Sequence, residues 1–276
     1  MTFKYFSHNY ELKPATEAHV PLNNVEYSYG YGVYETLRFS KGTIYFLDDH
    51  IDRLFNSARV ISIDHNFDKD SIMKNLVKLL EQNQAEACNI KILLLGGRDK
   101  DSANLYMFCS NPLFPDRKLY KTGVACVTEN YERLWPGAKT LNMLPSYLAY
   151  KKAREAEAYE CLLVNKEGFV TEGTRTNFFV IKDKTIISPM LEDILPGVTR
   201  DKVLKVAIEN GYNVVEQNIK LSELKEYDGA FLTSTSAKIM PIKSINEFSY
   251  DAITPPLIEL SEKFNNFLDS YKKNTQ

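Results

Sequence analysis

The stretch VYETLRFSKGTIYFLDDHIDRLFNSARVIS, residues 33–62, decides the class of fold. Residues 33–39 mix β-branched, aromatic and aliphatic side chains and read as a strand. Ser40-Lys41-Gly42 supplies a turn, and residues 43–46 read as the returning strand of a hairpin. At Asp48 the period changes. Leu47, Ile51, Leu54, Phe55, Ala58 and Ile61 recur at helical spacing, so a helix with one apolar face runs to about residue 62. A hairpin that feeds a helix is the mark of a mixed architecture.

Working outward, residues 3–6 read as an opening strand. A second helix over 71–83 rests on Ile72, Leu76, Leu79 and Leu80. Residues 89–95 form a buried strand that ends at Gly96-Gly97, with 104–110 as its partner. Asn111-Pro112-Leu113-Phe114-Pro115-Asp116 is the best linker, since two prolines disfavour both helix and central strand. Beyond it, strands at 123–129, 160–165, 169–172, 176–182, 213–219 and 230–233 alternate with helices at 146–158 and 200–210. Gly211 closes the second of these as a C′ residue, and Leu257, Leu260, Phe264, Phe267 and Leu268 mark an amphipathic C-terminal helix. The expectation is two mixed α/β (α+β) domains, residues 1–115 and 116–276.

The 276 residues hold 34 Lys+Arg against 36 Asp+Glu, a net charge of −2. That balance argues against a protein that tracks nucleic-acid phosphates. No run approaches the apolar length of a membrane span, and MTFKYFSHNY has no apolar signal core, so a cytoplasmic protein is expected. Cys88, Cys109, Cys126 and Cys161 form no CxxC pair, and most lie in apolar runs, which favours buried thiols over disulfides. His8, His19, His50 and His65 make no HxH or HExxH pattern, so no protein-built metal site is expected.

Three segments could carry chemistry. Leu195-Pro196-Gly197-Val198-Thr199-Arg200-Asp201 is a glycine turn that opens a helix, with Thr199 as the N-cap and free N–H groups ready for an anion. Thr233-Ser234-Thr235-Ser236-Ala237-Lys238 crowds hydroxyls at a strand end. Phe46, His50, Arg53 and Ser57 share a stripe beside the apolar face of the first helix. Each alone also suits a capped helix, a solvated turn or an ion-paired arginine.

Their order along the chain resembles one family. Gly30-Tyr31-Gly32-Val33-Tyr34-Glu35-Thr36-Leu37-Arg38 and His50-Ile51-Asp52-Arg53-Leu54 are similar to the N-terminal domain of class IV (fold type IV) aminotransferases. Lys139-Thr140-Leu141-Asn142-Met143-Leu144 follows where that family keeps the lysine that condenses with pyridoxal 5'-phosphate. Val170-Thr171-Glu172-Gly173, Asn177-Phe178-Phe179, residues 195–201 and residues 231–242 complete the order. The resemblance spans about residues 22–245 and includes D-amino-acid and branched-chain aminotransferases and aminodeoxychorismate lyase.

The resemblance implies a two-domain fold type IV enzyme, similar to D-amino-acid aminotransferase, with its cofactor in the cleft between the domains. Lys139 is then the catalytic amine, which also moves a proton at the substrate Cα. Glu172 would hold the protonated ring nitrogen, and Arg53 would fork onto the phosphate. Backbone groups of Val198 and Thr199, with the Ser234–Thr235 strand end, would complete the phosphate cup, and Leu195 would pack on the ring. A homodimer acting on an amino acid and a 2-oxo acid is expected, with neither nucleic acid nor membrane as a partner.

Within the family, Leu144 stands where branched-chain enzymes usually carry a tyrosine, and Tyr34 resembles the D-amino-acid enzymes. Those enzymes also place an arginine and a histidine in the loop after Gly96-Gly97, whereas this chain has Arg98-Asp99-Lys100-Asp101. Arg38, Arg98, Arg175 and Lys238 are therefore expected to include anchors for the carboxylates of an acidic substrate such as glutamate or 2-oxoglutarate. The leaning is towards D-amino acids. The alternatives are a branched-chain L-amino-acid aminotransferase, aminodeoxychorismate lyase, and an inert binding protein on the same fold.

Overall fold

The computed structural model describes residues 3–20, 25–112 and 114–275. Leu113 of the linker, and residues 22–24 at the start of the family resemblance, lie outside the described residues. The elements in chain order are β1 (Tyr5–His8), β2 (Glu11–Pro14), α1 (Val25–Ser28), β3 (Gly32–Ser40), β4 (Thr43–Ile44), α2 (Leu47–Val60), α3 (Lys69–Gln82), β5 (Ala87–Leu95) and β6 (Asn104–Ser110). They continue with α4 (Leu119–Thr122), β7 (Val124–Asn130), α5 (Leu144–Glu155), β8 (Glu160–Val164), β9 (Val170–Gly173), β10 (Asn177–Lys182) and β11 (Thr185–Ser188). Last come α6 (Val198–Glu209), β12 (Asn213–Glu216), β13 (Gly229–Ser234), β14 (Lys238–Ile245), β15 (Phe248–Ser249) and α7 (Pro255–Thr275). The chain divides into two compact units. The first runs to residue 113 and also takes in Gly137–Asn142; the second comprises Phe114–Pro136 and Met143–Thr275.

The first unit is an antiparallel sheet, ordered β2-β1-β6-β5-β3-β4. Alternation along β3 turns Val33, Glu35, Leu37 and Phe39 towards a core shared with α2 and α3. Ile51, Leu54 and Ala58 of α2 and Ile72, Leu76 and Leu79 of α3 fill that core, which is the apolar face read from the sequence. Asp68 caps α3 by accepting from the Ser71 amide at 2.8 Å. Gly137–Asn142 returns to the edge of β3 beyond β4. There Val33 and Thr140 form an isolated bridge, Tyr34 N–H donates to Lys139 O at 3.0 Å, and Leu141 N–H donates to Gly32 O at 2.8 Å.

The second unit is a sheet ordered β12-β11-β10-β13-β14-β7-β8-β9, and β9 also pairs with β10, so part of it closes on itself. Phe178, Val180, Leu162, Val170, Leu232 and Met240 line its interior. Three pairs of described strands are parallel, β14–β7, β7–β8 and β11–β12, and the last two are joined through α5 and α6 respectively, as parallel strands require a crossover. The sequence reading left out β2, β11, β14, β15 and the short helices α1 and α4, and extended β12 to residue 219, where the strand ends at Glu216. In β14, Pro241 and Lys243 break the apolar run that would mark a strand. All four cysteines are free and buried. Among the described residues no helix is long and apolar enough to cross a membrane.

Candidate active site

In the first unit the stripe on α2 faces a buried acid. Glu35 sits at a core-facing position of β3 and is fully buried. Arg53 donates to it twice, from Nε to Oε1 at 2.6 Å and from a terminal nitrogen to Oε2 at 2.8 Å. His50 Nδ1 donates to Oε2 at 2.8 Å, because an ionised carboxylate only accepts. Burial alone would raise the Glu35 carboxyl, but Arg53 and His50 outweigh it and hold the group well below the usual carboxylate range. Glu35 thereby fixes the plane of the Arg53 guanidinium, whose five N–H groups exceed what one carboxylate accepts.

One turn further along α2, the Ser57 hydroxyl donates to Arg53 O at 2.8 Å and accepts from Lys139 N–H at 3.0 Å. Arg53 and Lys139 are thus tied to the same helical turn. The Lys139 amine lies 4.5 Å from the centre of the Tyr34 ring, a cation–π distance. Lys91, opposite Thr36 on β5, lies 5.6 Å from the centre of the same ring and donates to Thr36 Oγ1 at 2.6 Å. Burial pushes the Lys91 amine below its ordinary range; Tyr34 and Glu35 oppose this, and the Lys139 charge adds to it.

In the second unit, Glu172 is the penultimate residue of β9 and is buried. Arg133 donates to its Oε1 at 3.0 Å, and Leu195 N–H donates to its Oε2 at 3.1 Å. Register places Glu172 opposite Asn177 and Asn177 opposite Thr233, a row on one face of β9, β10 and β13. α6 starts at Val198 with Gly197 as N-cap in an extended conformation, and no side chain caps it. This corrects the reading of Thr199 as the N-cap: Thr199 lies inside the first turn, and its amide belongs to the group that helix geometry leaves without an internal partner. Arg200 steadies this end, donating to Asp201 at 2.9 Å, Glu216 at 2.8 Å and Ser188 Oγ at 3.2 Å.

The structure thus gathers Arg53, Lys139 and Tyr34 in one unit, and Glu172, Leu195, Val198 and Thr199 in the other. The Ser234 hydroxyl accepts from Ala237 N–H at 3.1 Å and shapes the turn that carries half-buried Thr235. The basic residues read as substrate anchors are dispersed. Arg38 lies 5.5 Å over the Tyr45 ring. Arg98 is 88% exposed, 3.9 Å from Glu26. Arg175 lies 3.8 Å over the Tyr150 ring and 3.8 Å from Glu160. Lys238 donates to Asn265 on α7 at 2.5 Å.

Sequence reasoning did not mention Lys91 or Arg133, and met Glu35, Ser57 and Asn177 only as members of the β3 motif, the α2 stripe and the Asn177-Phe178-Phe179 landmark, without a role for each. Glu35 had a signal, a carboxylate in the core-facing row of a strand. Lys91 had one too, a lone charge inside an apolar run. Arg133, in an irregular segment between prolines and charges, had none.

The residues present fit pyridoxal phosphate. The first unit supplies the Lys139 amine, over the Tyr34 ring, and a guanidinium that Glu35 orients. The second supplies a buried carboxylate, an apolar side chain, an uncapped helix start, and Thr233 Oγ1, buried without a hydrogen-bond partner in the row with Glu172. The model of the amino-transferase class IV family matches residues 32–245. D-alanine aminotransferase of Bacillus licheniformis is 35% identical over 247 residues, covering 86% of this chain and 87% of the relative. A putative branched-chain-amino-acid aminotransferase of Methanocaldococcus jannaschii is 34% identical over 254 residues, 86% of each chain. A solved T.th. branched-chain amino acid aminotransferase with pyridoxamine 5'-phosphate superposes with a TM-score of 0.88 at 25% identity, over 96% of this chain and 93% of the other. The chain belongs to the class IV aminotransferases and is a fold type IV, pyridoxal-phosphate-dependent enzyme.

Proposed function

We propose that the enzyme transfers the amino group of a D-amino acid to a 2-oxo acid such as pyruvate or 2-oxoglutarate, in two half-reactions and as a homodimer. The observation that carries this reading is the Lys139 amine held over the Tyr34 ring, with Leu144 in place of the tyrosine usual in branched-chain enzymes. The likeness to D-alanine aminotransferase supports it. Pyridoxal phosphate, when bound, supplies an aldehyde that takes up the amino group and a ring that withdraws the electrons released at Cα.

The chain's own residues do the rest. Lys139 Nζ would be the amine that holds the cofactor and that moves the proton at the substrate Cα. The Tyr34 ring and the bridge at Thr140 confine that amine. Arg53, turned by Glu35, takes the phosphate together with the amides of Val198 and Thr199 and the Ser234–Thr235 strand end. Glu172, turned by Arg133, keeps the ring nitrogen protonated. Leu195 packs on the ring. Arg38, Arg98, Arg175 and Lys238 are taken to include anchors for substrate carboxylates, and Lys91, which shares the Tyr34 ring with Lys139, is added to that set.

A second reading, a branched-chain L-amino-acid aminotransferase, is favoured by the Methanocaldococcus relative. Titrating the holoenzyme with D-alanine and, separately, with L-leucine decides between them. Loss of the visible cofactor band with D-alanine alone is expected; loss with L-leucine alone overturns the D-specific reading. Lys139→Ala should lower turnover by roughly 10⁴-fold, the upper end for a positioned acid–base group, and sedimentation reads the dimer.

A further inference from the structure

We propose that Asn177 is a positioning residue that sets the spacing between the ring-nitrogen carboxylate and the phosphate-binding start of α6. The inference rests on the assignment of Glu172, Val198 and Thr199 to the cofactor.

Leu195-Pro196-Gly197 is the link between those two groups, and both main-chain polar atoms of Leu195 are held. Its N–H donates to Glu172 Oε2 at 3.1 Å, while its carbonyl accepts from Asn177 Nδ2 at 2.7 Å. Glu172 and Asn177 face each other across the β9–β10 hairpin, which Gly173 N–H closes onto Thr176 O at 2.8 Å. The two side chains grip one residue from one strand pair. Asn177 cannot slide, because β10 pairs with β13 from Asn177↔Thr233 to Ile181↔Gly229.

The contact continues to the helix start. A Cβ at Gly197 would collide with Asn177 Oδ1, so the amide packs directly on the N-cap glycine. A longer side chain would displace that glycine, and a shorter one would leave the Leu195 carbonyl without its donor. The carboxylate, the ring-facing leucine and the helix start then move as one body, and Asn177 is the part of it not assigned to touch the cofactor.

The test compares pyridoxal phosphate with pyridoxal as titrants of the cofactor-stripped full chain. The wild type should prefer the phosphorylated form strongly. In Asn177→Ala the preference should fall about tenfold, the factor expected when a buried carbonyl loses its donor, with pyridoxal affinity little changed. Gly197→Ala, which forces the amide off the turn, should give the same loss. A general loosening of the fold weakens both titrants alike and leaves their ratio intact. An unchanged ratio in both variants overturns the role of Asn177, as does failure of both to fold. A wild type without preference for the phosphorylated form would instead overturn the assignment of the α6 start.

Discussion

Each unit buries a glutamate against an arginine, with the roles exchanged. In the first, Glu35 and His50 orient Arg53, the side chain assigned to the cofactor phosphate. In the second, Arg133 orients Glu172, the side chain assigned to the ring nitrogen. One group of each pair faces the chemistry and the other fixes its direction, which a long, flexible arginine or a lone carboxylate could not do for itself. Glu160, on β8, shows what happens without such a partner. It is as buried as Glu35, yet among the described residues it receives only the Thr174 and Thr176 hydroxyls and the Cys161 amide, with Arg175 at 3.8 Å. Burial therefore dominates and raises its carboxyl, whereas Glu35 is lowered. The contrast shows that close charged hydrogen bonds, not depth, decide the ionisation of a buried acid here.

The largest effect should come from breaking the first pair. Glu35→Ala strands the half-buried Arg53 and buried His50 and should cost about 3–5 kcal/mol of stability in urea unfolding. Lowered affinity for pyridoxal phosphate should accompany it. Stability within 1 kcal/mol of wild type, roughly a surface pair's worth, would show that the network is not held as described.

Breaking the second pair should be felt less in stability and more in turnover. Arg133→Ala should reduce kcat/KM about tenfold, equivalent to one lost charged hydrogen bond, and Arg133→Lys should recover part of it. Equal loss in the alanine and lysine variants would mean that packing, rather than the charge on Glu172, is what Arg133 provides.

The smallest effect is the sharpest on mechanism. Glu160 has a folded-state carboxyl above its ordinary value near 4.5, so the stability it contributes is complete below that pH and is lost as pH rises through the raised value. Glu160→Gln cannot ionise. Its melting temperature should therefore gain on wild type as pH rises from about 4.5, by roughly 2–4 °C if the gain is near 1 kcal/mol. A difference that is flat with pH would refute the contrast with Glu35.

Much of this could be read along the chain. The α2 stripe of His50, Arg53 and Ser57 was visible as a pattern because helical spacing alone puts those residues on one face. What the stripe faces was not visible. Glu35 is 18 residues from Arg53, and only the packing of α2 on β3 joins them. Arg133 and Glu172 are 39 apart, Lys139 and Ser57 are 82 apart, and such pairs obey no local period. The basic residues chosen as anchors were chosen by charge, but Arg175 turns to Tyr150 and Glu160 and Lys238 to Asn265, contacts that depend on neighbouring elements.

By itself the sequence determined the mixed architecture, the five longer helices and most strands, and the family to which the chain belongs, because periodicity, turns and motif order are local properties. Tertiary structure alone decided that Gly137–Asn142 rejoins the first unit beside β3, that Gly197 rather than Thr199 is the N-cap of α6, and which partner aims each charged group. Those outcomes depend on strand pairing and on which groups share a desolvated space, where a few tenths of an ångström in a hydrogen bond outweigh any propensity written along the chain.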